Sequence, residues 1–118
     1  METAAQSPAQ QNRVVVKDGS KIKIIPVNQI HYLEAADDYV KIVTADGSFL
    51  KKRTMNFFEQ SLSVYHFVRI HRSYIVNTQL ITRIDPYEKD SHLVLLTTGA
   101  KLPASKTGYA KLKDVLGI

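Results

Sequence analysis

The 118-residue sequence contains no cysteine and no tryptophan. Without cysteine there are no disulfides and no thiolate metal sites, so stability has to come from an apolar core. The lack of thiols fits a reducing cytoplasm, the compartment expected for this chain. Long apolar runs are missing too, since nothing approaches the roughly 20 residues that span a bilayer. The first residues lack a basic start followed by an apolar stretch and do not read as a signal peptide. Catalytic kits are equally scarce. His31, His66, His71 and His92 form no pair at the helical spacing a zinc hydrolase uses. The five glycines are scattered among turns, so no phosphate-cradling loop exists. Ser73 and Ser105 lack the glycine elbow of a nucleophilic serine. The chain is therefore expected not to be an enzyme and to need no cofactor and no metal.

What is present points elsewhere. Sixteen Lys and Arg against eleven Asp and Glu leave a net charge of +5. A basic excess favours a polyanionic partner, of which nucleic acid is the commonest. A chain of this length suits one domain and buries about two-thirds of the surface its unfolded form exposes. Residues 1–12, METAAQSPAQQN, are small and polar with no apolar period, and read as a flexible linker or tail. The domain proper is expected over residues 13–118.

From Arg13 the texture is that of short strands. Val14 to Val16, the Asp18-Gly19 turn and Lys21 to Ile24 form a hairpin signature, which Pro26 ends or places on an edge. Gln29 to Glu34 reads as a strand. Tyr39 to Thr44, Asp46-Gly47 and Ser48 to Lys51 read as a second hairpin. The period then changes. Thr54 can cap a helix with Met55, Phe58 and Leu62 on one apolar face and Phe57 beside them. Phe67 to Ile70, Tyr74 to Val76, Ile81 to Tyr87 and His92 to Thr98 read as strands, with a tight turn at Thr98-Gly99-Ala100 before Lys101-Leu102. Ser105 can cap a last helix whose inner face carries Tyr109, Leu112, Val115 and Leu116. Strand–turn–strand without crossover helices predicts a mainly β fold of short antiparallel sheets with two short helices.

Four polar segments fall between these elements. Asp37, Asp38 and Tyr39 join two strands; aspartates can accept from cytosine N4, or simply shape the turn. Arg69, His71, Arg72 and Ser73 precede an apolar anchor of Tyr74, Ile75 and Val76. Arginine can fork onto guanine or hold a phosphate, and serine can take a phosphate contact, while His71 can alternatively be bonded to backbone. Ser105, Lys106 and Thr107 open the last helix, where outward N–H groups suit a phosphate, or merely a capped helix end. Lys51, Lys52 and Arg53 form a compact positive corner, a backbone clamp or a solvated bend.

In this order the segments resemble the LytTR (LytR/AlgR-type) DNA-binding domain family. The resemblance is carried by Ile30-His31-Tyr32-Leu33-Glu34-Ala35, Asp38-Tyr39-Val40-Lys41-Ile42, the run from Phe67 to Asn77, and Leu102-Pro103-Ala104-Ser105-Lys106. It covers about Val15 to Leu116. It implies short antiparallel sheets stacked into an elongated β-sandwich with small helices. It also implies inter-strand loops inserted into successive major grooves of double-stranded DNA, with direct repeats bound by paired protomers, in a transcription regulator. Most members follow a phosphorylatable receiver domain of a two-component response regulator, and others follow membrane segments or stand alone. No receiver or sensor domain lies in this chain. By position, the loop around Asp37, Asp38 and Tyr39 matches the first groove-facing loop. Arg72 matches a base-contacting position, Ser73 a phosphate-contacting one, and Lys106 and Thr107 the last contact loop. The family often has arginine where this chain has Lys106, and lysine lacks the bidentate fork.

A different reading is a small β-module that binds a protein or single-stranded RNA. Such surfaces display aromatics for stacking. Here Tyr32, Tyr39, Phe49, Phe57, Phe58, Phe67, Tyr74 and Tyr109 mostly stand where a core would claim them.

Overall fold

The computed structural model of the chain describes residues 12–118. The expected tail lies outside the described residues except for Asn12, whose carbonyl accepts from the Val27 N–H at 3.0 Å. β1 (Arg13–Asp18) and β2 (Lys21–Pro26) form the first hairpin around Asp18-Gly19, with Val15 opposite Ile24. Then follow β3 (Ile30–Ala36), β4 (Tyr39–Thr44), β5 (Gly47–Lys51), α1 (Met55–Ser61), β6 (Phe67–His71) and β7 (Tyr74–Asn77). β8 (Ile81–Pro86), β9 (His92–Leu96), β10 (Lys101–Ala104) and α2 (Lys106–Leu116) complete the chain. The strands make a two-stranded sheet β1-β2, a central five-stranded sheet β5-β4-β3-β7-β6 and a three-stranded sheet β10-β9-β8. Every pairing is antiparallel, as the strand–turn–strand pattern predicts.

The central sheet is apolar on both faces, which is why adjacent residues such as Ile75 and Val76 are both fully buried. One face packs Leu33, Ile42 and Ile75 against Val14, Val16 and Ile25 of the first hairpin and Met55, Phe58 and Leu62 of the α1 region. The other packs Ile70 and Val76 against Val94, Leu96 and Leu102 of the three-stranded sheet and Leu112 of α2. Layers stacked this way give a body of 46 × 31 × 25 Å. Asn77 stitches the middle: its Nδ2 donates to the Ile30 carbonyl at 3.1 Å and its Oδ1 accepts from the Gln79 N–H at 3.0 Å.

Both helices begin where their caps lie. Thr54 accepts from the Phe57 N–H at 3.0 Å, and Ser105 from the Gly108 N–H at 3.1 Å. At seven residues α1 is too short to persist alone; burial of Met55 and Phe58 holds it. Two packing expectations need correction. Val115 and Leu116 are exposed, because α2 meets the sheets along Gly108 and Leu112 and its last turn overhangs the contact. Tyr39 and Phe57 also lie outside the core; Phe57 is instead covered by the Arg53 guanidinium at 4.3 Å.

Gly108 is where α2 comes closest to β6. A Cβ added there would collide with the Ile70 carbonyl, a backbone group that cannot swing aside. Helix propensity alone predicts that Gly108→Ala stabilises by about 1 kcal/mol. The packing predicts the reverse, a loss of about 2 kcal/mol or more, since α2 must lift off β6. Urea denaturation midpoints of the two proteins check the sign.

Candidate nucleic-acid interface

Strand register gathers the polar segments at one end of the central sheet. Ala36 pairs with Tyr39, so β3 and β4 close around Asp37-Asp38. Glu34 pairs with Tyr74, so the turn at Arg72-Ser73 emerges beside the first. The Ala35 N–H donates to the Ser73 carbonyl at 2.9 Å and joins the two turns. Val40 pairs with Lys51, so the Lys51-Lys52-Arg53 corner leaves the sheet at this end too. The Ser105 N–H donates to the Ile70 carbonyl at 2.9 Å, which sets the start of α2 beside the end of β6. From edge to edge the order is therefore basic corner, acidic turn, arginine-serine turn and helix start.

Beneath the turns the strands are tied by polar side chains. Tyr74 donates its hydroxyl to Glu34 at 3.2 Å, and Lys41 pairs with the same carboxylate at 3.2 Å. Burial raises the Tyr74 hydroxyl above its ordinary value and the nearby Glu34 charge adds to it, so the phenol stays a donor. Asp37 adopts a left-handed φ of 58°, which aspartate tolerates in a tight turn. Asp37, Asp38 and Tyr39 face Lys52 and Arg53 across an open cleft of about 430 Å³.

The candidate residues divide by what they already hold. Arg72, Lys52 and Lys106 are exposed, and among the described residues their side chains have no hydrogen-bond or ion-pair partner. Thr107 is exposed beside Lys106. Lys51 differs: its Nζ donates to the Val15 carbonyl at 2.5 Å and fastens the first hairpin to β5. The Ser105 hydroxyl is engaged as a helix cap. His71 accepts the Ser73 N–H on Nδ1 at 3.1 Å, the backbone-bonded alternative left open by the sequence. That bond leaves Nε2 as the protonated nitrogen of the neutral ring.

Arg69 holds the most. Its Nη1 donates to Asn56 Oδ1 at 2.8 Å and to Glu59 Oε1 at 3.1 Å, and its Nη2 to the Arg72 carbonyl at 2.6 Å. The guanidinium thus braces the turn from behind. Lys111 of α2 reaches Glu59 Oε2 at 3.3 Å. Asn56, Glu59 and Lys111 did not stand out in the sequence. Asn56 and Glu59 do lie three apart on α1 and so share a face, but their partners are distant in the chain.

A family model described as the LytTr DNA-binding domain matches residues 20–117. The chain is 32% identical over 118 residues to sensory transduction protein LytT of Bacillus subtilis (strain 168), covering all of this chain and 49% of that protein. It is 26% identical over 103 residues to transcriptional regulatory protein LytR of Staphylococcus aureus (strain N315), covering 87% of this chain and 42% of that one. The chain thus spans about half the length of the curated relatives it matches. A solved LytTr DNA-binding domain from Bacillus cereus superimposes with a TM-score of 0.82 at 27% identity, over 91% of this chain and 98% of that one. No helix among the described residues is long and apolar enough to cross a membrane.

Partial burial pushes the Glu59 carboxyl up, but bonds and charges from Arg69 and Lys111 outweigh it and hold it below the usual 4.5. A carboxylate with a lowered folded value contributes stability above its unfolded pKa and loses it as pH falls through the folded one. Glu59→Gln should therefore cost stability at about pH 7 and progressively less below about pH 4. Urea midpoints of both proteins across that range test this. A gap that stays constant on acidification is the opposing result.

Proposed function

The chain belongs to the LytTr DNA-binding domain family, and we propose that it recognises specific duplex sequences with the strand-end corners gathered at one end of its central sheet. Membership places it among DNA-binding domains rather than enzymes. The finer reading is that these corners, not a recognition helix, enter the major groove. One observation carries it: four sequence-distant corners converge on one sheet end with Arg72, Lys52 and Lys106 free to engage a ligand.

Dimensions support a division of labour. Five adjacent strands span roughly 19 Å at a spacing of about 4.8 Å. A major groove is about 12 Å wide. The corners cannot all enter one groove, so the outer ones bear on phosphates. Lys52 and Arg53 at one margin and Lys106 and Thr107 at the other suit that role. The acidic turn lies inboard, away from the phosphate walls, where Asp37 or Asp38 can accept from cytosine N4. Arg72 is assigned to a base edge and Ser73 to a neighbouring phosphate. His71 serves chiefly by holding the Ser73 N–H, Lys51 by fastening the hairpin, and Ser105 by capping α2.

Relatives named as a sensory transduction protein and a transcriptional regulatory protein support a role in transcription regulation, in the cytoplasm where the chromosome lies. Paired protomers on direct repeats, and a receiver or sensor domain joined to the chain, belong to the same proposal. Single-stranded RNA is a weaker fit. The exposed aromatics Tyr39 on β4, Phe57 on α1 and Tyr87 in the loop after β8 do not stand side by side on one sheet face.

Selection of bound duplexes from a random pool tests the function. Recovery of one motif, repeated at about one helical turn, is the expected result, and a pool with no enriched sequence opposes it. On the selected duplex, Arg72→Ala should cost about 1–3 kcal/mol and relax preference at one base position. Lys52→Ala should weaken all sequences alike and reduce the salt slope by about 1.

A further inference from the structure

We infer that Glu59 is a positioning residue for duplex recognition: through Arg69 and Lys111 it ties the Arg72 turn to α2, the helix that carries the Lys106 corner, although it touches neither phosphate nor base. The inference rests on the proposed function, since it assumes that those two corners face the duplex.

Glu59 sits on α1, on the hairpin side of the central sheet, whereas α2 packs on the other face. Among the described residues no backbone bond joins the two helices. The carboxylate bridges them around the open edge of β6. One oxygen takes Arg69 Nη1 at 3.1 Å and the other takes Lys111 Nζ at 3.3 Å. Arg69 then passes the constraint on. Its second nitrogen, Nη2, holds the Arg72 carbonyl at 2.6 Å, so the base-reading residue hangs from the far side of the same planar fork. Asn56, one turn before Glu59, takes a second bond from Nη1 at 2.8 Å and fixes the plane of the guanidinium. Only an arginine can make this set, because it needs a rigid fork with donors in two directions. The pairs are partly shielded: the Arg69 side chain is 21% exposed and the Glu59 side chain 34%.

A carboxylate near a DNA-facing surface ought by charge alone to repel phosphates. Removing it should then strengthen binding to every duplex. The latch predicts a different pattern. With Glu59 neutralised, Arg69 and Lys111 lose their common anchor, and the Arg72 turn is held relative to α2 only through Ile70, by the Ser105 bond and the Gly108 contact. Specific binding needs both corners in register, whereas non-specific binding needs only positive charge.

The experiment uses the full chain with two probes, the duplex recovered from random-pool selection and a scrambled duplex of equal length and composition. Glu59→Gln should lower affinity for the selected duplex at least about fivefold and leave affinity for the scrambled one equal or higher, so that their ratio collapses. Arg69→Lys keeps the net charge but loses the fork, and should collapse the ratio in the same way with an unchanged salt slope. It carries the test if Glu59→Gln does not fold. On an Arg72→Ala background, Glu59→Gln should reduce the ratio no further, because the residue it acts through is gone. The latch is overturned if Glu59→Gln raises both affinities alike, or if its effect on the ratio persists without Arg72. If Arg72→Ala alone leaves the ratio untouched, the proposed role of that corner fails and the latch with it. If Arg72→Ala lowers the ratio but neither Glu59→Gln nor Arg69→Lys does, the latch alone fails.

Discussion

The gathering of the polar corners at one sheet end depends on a β-bulge at Ile70. Arg69 pairs with Ile75 and His71 with Tyr74, so Ile70 has no partner on β7. A bulged residue is released from the ladder, and its carbonyl here takes the Ser105 N–H instead. The Ile70 side chain is fully buried in the second core beside Leu112. One residue therefore anchors α2 through its backbone, packs it through its side chain, and turns the strand toward Arg72. Gly108 completes the contact by bringing no Cβ against that carbonyl. Because β6 is an edge strand its outward carbonyls are open, and at the bulge it is the Ile70 carbonyl that α2 uses.

The same logic explains why the central sheet is filled on both faces. Under the proposed function the corners would have only strand ends to hold them. A loop on a half-exposed sheet keeps much of its backbone freedom, and ordering it on binding costs affinity. Here the first hairpin and α1 cover one face while the three-stranded sheet and α2 cover the other. The turns leave strands that are packed from above and below, and the Ala35–Ser73 bond joins them at their base. Much of the cost of ordering these turns is therefore met in the free protein.

Most of the strand framework was legible because it obeys local rules. The Asp18-Gly19 and Asp46-Gly47 turns, the alternation of Val14 to Val16, and the caps Thr54 and Ser105 are each a signal a few residues long. What escaped is non-local. Periodicity alone put Val115 and Leu116 inside, but the inner face of α2 is set by where Gly108 touches β6, and no pattern within the helix reveals that. Arg69 reads in sequence as one more cation in a basic loop, beside His71 and Arg72. Only the fold shows that Asn56, Glu59 and the Arg72 carbonyl surround it. Lys51 and Lys52 are neighbours with the same chemistry, yet the first ends β5 and reaches the Val15 carbonyl while the second lies in the bend beyond it and is exposed. The family resemblance singled out the candidate loops, whereas which of their side chains are already bonded is visible only in the fold.

That division has a physical consequence for how such a domain discriminates. A charge that is already paired inside the protein gains little by exchanging its partner for a phosphate, since it must first give up bonds it has. A free charge at a margin loses only water. Arg69, engaged at three acceptors, is therefore poorly suited to direct contact, while Arg72, on the turn that Arg69 braces, is well suited to it. The basic side chains thus divide into a bonded set, Arg69 and Lys51, and an unbonded exposed set, Arg72, Lys52 and Lys106. Specificity arises where the two are coupled, because a free arginine discriminates between bases only if its backbone is held still.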